Sequence, residues 1–265
     1  MKYLQGVLLD WAGTTVDYGC MAPVGSFIEM FEERGITVTM EETRKPMGMA
    51  KIDHIRTMLG MPEIQAQLAN RAIIEKDVVE MNGRFEELLF KNLSNYATPV
   101  PGAVDAINEI IQMKLKIGTT TGYTREMMEI VRAGAAQQGY APDIVITADD
   151  VDAGRPFPWM AYAAAMKMGV YPMSRIVKVG DTVIDMEEGR NAGAWTVGLV
   201  YSSSEFGLTQ EETNQLSEHE RLTRAAAVRK RLFAAGAHHV LDTIEELPAY
   251  LQKLDQELAK QEVFV

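Results

Sequence analysis

Apolar residues in this chain gather into segments of two kinds. Some runs are short, continuous and rich in Val, Ile and Leu: Tyr3 to Leu9, Leu115 to Thr119, Ile144 to Ile146, Ile176 to Val179, Thr196 to Val200 and His238 to Leu241. Runs of that length without polar alternation predict strands buried on both faces. Between them lie stretches of helical period, Ala103 to Met113, Arg125 to Gln138 and Trp159 to Met168, so strand and helix alternate from about Pro101 onward. Such alternation predicts an α/β fold, a Rossmann-like doubly wound parallel sheet with helices on both faces and ligands at the carboxyl ends of its strands.

The stretch from about Asp17 to Thr98 breaks this rhythm and is too long for a loop. Its pieces read as helices: an amphipathic segment from Pro23 to Arg34, a capping box at Thr39 with Glu42 three residues on, a break at Pro46-Met47-Gly48, then Ile52 to Leu59, Glu63 to Asn70 and Glu75 to Leu93. We therefore expect residues 1–16 and 99–265 to form the core and 17–98 an inserted α-helical cap. A polar, Glu- and Arg-rich helical stretch follows Tyr201-Ser202-Ser203-Ser204.

Composition narrows the functions available. With 265 residues, 47% hydrophobic and 24% charged, the chain can bury a full core. The net charge of −11 repels nucleic acid and anionic lipid, so neither is an expected partner, and an anionic substrate needs a local positive site. A single cysteine, Cys20, and an N-terminal apolar run that stops at Asp10 without a cleavage pattern point to a cytoplasmic protein.

Four polar elements follow the predicted strands. Asp10 heads a Gly-Thr-Thr turn, where a carboxylate can serve as nucleophile or metal ligand; a turn-forming Asp explains it as well. Thr119-Thr120-Thr121-Gly122 offers hydroxyls and amides to phosphate oxygens, or is an ordinary turn. Arg155 is a phosphate clamp or a solvated cation. Asp181 and Asp185, four apart after a Val-rich strand, suit a hard divalent cation or a surface turn.

In this order the four elements resemble the haloacid dehalogenase superfamily, in which the first Asp is phosphorylated, a Ser or Thr and a Lys or Arg bind phosphate, and acidic residues of the fourth motif hold Mg²⁺. One departure is informative. The family's phosphatases carry an acid two residues after the nucleophile, which protonates a departing ester oxygen; here that position is Ala12. A carbon leaving group needs an electron sink instead, and Lys51 in the cap is an amine able to form one.

With that substitution, the strings Asp10 to Asp17, Pro46-Met47-Gly48, Lys51 with His54, Thr121-Gly122-Tyr123, Gly154-Arg155-Pro156 and Lys178-Val179-Gly180-Asp181 resemble the phosphonoacetaldehyde hydrolase (phosphonatase) family. The resemblance implies catalytic roles for Asp10, Lys51 and His54, and substrate contacts from Met47, Gly48, Thr121, Gly122, Tyr123 and Arg155. It implies Mg²⁺ on Asp10, the Ala12 carbonyl and Asp181, with Asp185 behind them. It also implies a phosphonate substrate and a homodimer through cap helices, with Pro23 to Arg34 the expected contact. The alternatives are an ester phosphatase or phosphomutase of the same superfamily, or a non-catalytic phosphate-sensing module.

Overall fold

In the computed structural model, which describes residues 1–47, 49–68 and 73–262, each short apolar run becomes a strand. The strands are β1 (Gly6–Leu9), β2 (Lys116–Thr120), β3 (Val145–Ile146), β4 (Ile176–Gly180), β5 (Trp195–Leu199) and β6 (His239–Leu241). They form a six-stranded sheet in the order β3-β2-β1-β4-β5-β6, every pair parallel. β1 therefore lies in the middle, at the point where the winding reverses, and a crevice opens at its carboxyl end.

Helices α6 (Ala103–Gln112), α7 (Arg125–Ala136) and α8 (Trp159–Met168) lie where the period places them. α9 (Val183–Ala192) gave no apolar period because its buried face carries Asp185 and Glu188 beside Met186, Gly189 and Ala192. β5 leads to the polar helices α10 (Gln210–Gln215) and α11 (Glu218–Ala234), and β6 to α12 (Leu247–Glu262).

Between β1 and α6 the regular structure is helical: α1 (Met21–Glu32), α2 (Met40–Arg44), α3 (Lys51–Leu59), α4 (Pro62–Gln67) and α5 (Glu75–Asn92). Asn70, expected to end α4, lies outside the described residues. The Thr39–Glu42 capping box opens α2 as expected. Phe27 of α1 stacks on Phe85 of α5 at 4.0 Å between centroids, and both are fully buried. Helix α1 packs one face into the chain. Its apolar residues Val24, Phe27, Met30 and Phe31 are buried within the chain, leaving Gly25, Glu29 and Glu32 outside. The two connections to the sheet run side by side, with Asp17 N donating to Thr98 O (3.1 Å) and Val100 N to Thr15 O (2.9 Å).

Among the described residues no helix is long and apolar enough to cross a membrane.

Candidate active site

Asp10 is the first residue past β1, and its amide extends the sheet by one bond to Val179 O (3.0 Å). The chain then turns sharply: the amides of Thr14, Thr15 and Val16 all donate to Trp11 O, and Thr15 Oγ1 donates to Asp10 O (2.9 Å). Gly13 has φ +85°, and a Cβ there would lie 2.3 Å from Asp181 Oδ2, so only glycine lets this turn approach the end of β4. Asp181, the residue after β4, accepts from Thr14 Oγ1 (3.1 Å) and from the amide of Ser204 (2.7 Å).

Asp10, Asp181 and Asp185 are buried, with carboxylate oxygens within 4.8 Å of one another. Burial lifts the Asp10 carboxyl above its usual range despite Arg155 beside it. Asp181 is lifted well above the usual range, by burial first and then by the charges of Asp10 and Asp185. Burial pushes Asp185 the same way, but Arg155 and Lys178 outweigh it and hold that carboxyl at about 2. Two of the three carboxylates thus lack a sufficient positive partner.

The cations lie on the other side of the cluster. Arg155 donates from Nη2 to Asp10 Oδ1 (2.6 Å) and to Thr120 O and Oγ1 (3.0 and 2.9 Å); Nε meets Glu188 (3.1 Å) and Nη1 meets Asp185 (3.2 Å). The expected phosphate clamp is therefore also an internal strut, its donors directed to carboxylates and Thr120. Lys178, fully buried in β4, reaches Thr120 Oγ1 (2.8 Å), Asp185 Oδ1 (3.0 Å) and Glu188 Oε2 (3.0 Å). Neither Lys178 nor Glu188 was singled out from sequence as a site residue. The available signal was the lysine itself, a charge inside a strand expected to be buried on both faces.

Four carboxylates in this cluster (Asp10, Asp181, Asp185 and Glu188) face two cations (Arg155 and Lys178), leaving a deficit that a divalent cation would close. The oxygen-only donor set at Asp10 and Asp181 also suits a hard ion.

Above the cluster, helix α3 begins at Lys51. Asp10, Ala12, Thr121, Gly122, Tyr123, Arg155 and Asp181 from the core and Met47 and Lys51 from the cap share one cavity of about 30 Å³. Cys20, Met49 and Thr182, not among the site residues expected from sequence, line it too. Thr121 Oγ1 accepts from Tyr123 N (3.1 Å), and the Tyr123 ring lies 5.4 Å from the Lys51 amine. Burial lowers the Lys51 pKa, opposed by the charge of Asp10 and assisted by Arg155. Burial also drives the Cys20 thiol well up, which keeps it neutral.

His54 and Asp185 do not line the cavity, and Gly48 lies outside the described residues. His54 is fully buried, stacked on Phe27 at 4.0 Å, with Nε2 2.9 Å from Thr43 O. Burial, with Lys51 nearby, lowers its pKa to about 3. The imidazole is therefore neutral, and Nε2 must carry the proton it donates to Thr43.

A family model described as haloacid dehalogenase-like hydrolase matches residues 4–193. The chain is 50% identical to a phosphonoacetaldehyde hydrolase of Bacillus cereus over 258 residues, covering 96% of this chain and 97% of that one. It is 49% identical over 257 residues to the phosphonoacetaldehyde hydrolase of Bacillus cytotoxicus, with the same coverage. Among solved structures, a phosphonoacetaldehyde hydrolase-like protein from Oleispira antarctica superposes with a TM-score of 0.94 at 38% identity, over 97% of this chain and 95% of that one. A β-phosphoglucomutase from Clostridium difficile shares the fold alone, with a TM-score of 0.68 at 15% identity over 97% and 99% of the two chains.

Proposed function

The chain belongs to the haloacid dehalogenase-like hydrolases and, within them, to the phosphonoacetaldehyde hydrolase family, and on that premise we propose that it cleaves the carbon–phosphorus bond of phosphonoacetaldehyde to give acetaldehyde and phosphate. One observation carries this reading: a half-buried cap amine, Lys51, and the strand-end carboxylate Asp10 line the same cavity, where an ester phosphatase's second acid is replaced by the methyl group of Ala12.

Desolvation raises the neutral fraction of the Lys51 amine, which condenses with the substrate aldehyde, losing water to leave a protonated imine. Asp10 attacks phosphorus; the carbon–phosphorus electron pair passes into the iminium and leaves an enamine on Lys51. Protonation at carbon and hydrolysis return the amine and release acetaldehyde. Water then hydrolyses the aspartyl phosphate. Thr121, Gly122 and Arg155 hold the phosphonate oxygens, the last exchanging its contact with Asp10 for one with substrate. Tyr123 and Met47 wall the aldehyde carbon.

Asp10, Asp181 and the Ala12 carbonyl are the groups to hold Mg²⁺, which when bound offsets the repulsion between nucleophile and phosphonate. Asp185 stands behind them as the counter-charge that fixes Arg155 and Lys178. His54, neutral and walled off, seats α3 against Thr43 and Phe27 and so places Lys51. The helical segment 17–98 acts as the cap. It must lift to admit substrate, since 30 Å³ holds about one water. A soluble cytoplasmic homodimer completes the proposal.

The test is borohydride reduction in the presence of phosphonoacetaldehyde, followed by peptide mapping. Alkylation at Lys51, with acetaldehyde and phosphate released in equal yield by the parent, is the expected result. Absence of the adduct together with full activity in Lys51→Arg refutes the imine route.

A further inference from the structure

The run Tyr201-Ser202-Ser203-Ser204 plays no part in the chemistry above, yet all three serines are buried. Their polar atoms tie together three parts of the site. Ser202 Oγ donates to Gly13 O (2.7 Å), fixing the turn after β1. Ser202 O accepts from Gly19 N (2.8 Å), fixing the connection into the cap. The amide of Ser204 donates to Asp181 Oδ2 (2.7 Å).

One cap side chain reaches this hub. Arg44, the last residue of α2, donates from Nη1 to Gly19 O (2.6 Å) and to Ser204 O (3.3 Å). Its berth is shaped for it: Gly207 has φ +74°, and a Cβ there would come within 3.2 Å of Arg44 Cδ and Nε. Both bonds leave the terminal nitrogen Nη1, one bond farther along the side chain than a lysine ammonium reaches. Arg44 also stands just before Met47, Met49 and Lys51, the cap residues that line the cavity.

From this geometry we propose that Arg44 is a positioning residue, a latch that fastens the cap to the core and, through the Ser202–Ser204 run, holds Asp181 ready for a divalent cation. The inference rests on the reading of Asp10 and Asp181 as that cation's ligands. Lifting the cap breaks the Arg44 contact with Ser204 O and the Gly19 N bond to Ser202 O, and loosens the loop whose amide orients Asp181. By linkage, a cation bound at Asp181 favours the closed cap to the same degree that closure favours the cation.

The test needs no turnover. Mn²⁺ affinity is measured by electron paramagnetic resonance, and hydrogen exchange is followed in peptides spanning residues 40–49 and 201–208. Variants are Arg44→Ala, Arg44→Lys, Arg84→Ala as an exposed cap control paired with Glu33 and Glu87, and Asp181→Asn. We expect Arg44→Ala to weaken Mn²⁺ about tenfold, as loss of groups behind metal ligands does, and to speed exchange in both peptides. Arg44→Lys should lose at least about threefold by the same logic, and it decides the matter if Arg44→Ala does not fold. Arg84→Ala should leave both readouts unchanged. If Asp181→Asn abolishes Mn²⁺ binding while the folded Arg44 variants bind within twofold of the parent, the latch is wrong. If Asp181→Asn binds normally, the cation-site reading fails, and the latch fails with it.

Discussion

Replacing Lys178 by Met tests the charge accounting on which the site rests. Lys178 is fully buried, and its amine touches Thr120 Oγ1, Asp185 and Glu188 within 3.0 Å. Methionine keeps most of the side-chain volume, so the change removes a charge without opening a large cavity. What remains is Asp185 and Glu188 buried against Arg155, which must also serve Asp10. Stranding a buried ionic partner costs about 3–5 kcal/mol. At about 2.1 cal/mol/K per residue over 265 residues, that lowers the thermal midpoint by roughly 5–9 °C. Removing Glu188 as well takes away one stranded charge, so Lys178→Met/Glu188→Met should cost less than the sum of the single variants by at least about 1.5 kcal/mol. Urea unfolding of the four proteins measures this coupling. Additive costs, or a single-variant loss under about 1 kcal/mol, would refute the proposition that Lys178 neutralises this cluster. Acid sensitivity gives a second reading. The Asp185 pKa is depressed to about 2, so its stabilisation is present above its ordinary value of 3.8 and lost as pH falls towards 2; without Lys178 that loss is smaller and is complete at higher pH.

Asp17, whose carboxylate accepts from Met21 N and Ala22 N, is raised by burial to about 7; the folded state therefore binds its proton more tightly, and stability falls as pH rises from about 4 through 7. Asp17→Asn should flatten that part of the urea-midpoint profile, and an unchanged slope would count against the shift. His54 has the opposite sign: with a pKa of about 3 its contribution is lost as pH falls below about 6.5, and His54→Phe should remove this acid dependence while costing about 1 kcal/mol for the bond to Thr43, read by unfolding at pH 5 and 7. Chelation with EDTA should abolish phosphate release and lower the thermal midpoint. Calorimetric Mg²⁺ affinity should weaken as pH falls, because Asp10 and Asp181 hold protons more tightly than ordinary carboxylates.

The strand runs, the alternation with helix and the helical insertion were legible in the sequence because each depends on local period and on burial of apolar side chains. The placement of Asp10, Thr121 and Asp181 was legible too, since parallel strands must present their carboxyl ends on one edge of the sheet. What escaped was held by polar burial. α9 hid its inward face because Asp185 and Glu188 carry no apolar period, and nothing in its strand run marked Lys178 as the counter-charge for both. His54, expected beside the reacting amine, is turned into the cap interior, because one helical residue's spacing fixes a face but not what packs against it. The sequence by itself determined the sheet, the insertion and which residue types stand at strand ends. Only the tertiary structure decided which charges neutralise which, that Lys51 and Asp10 share one cavity, and that Arg44 joins α2 to the serine run. Pairings between side chains that only the packing of separate elements brings together leave no trace in local periodicity.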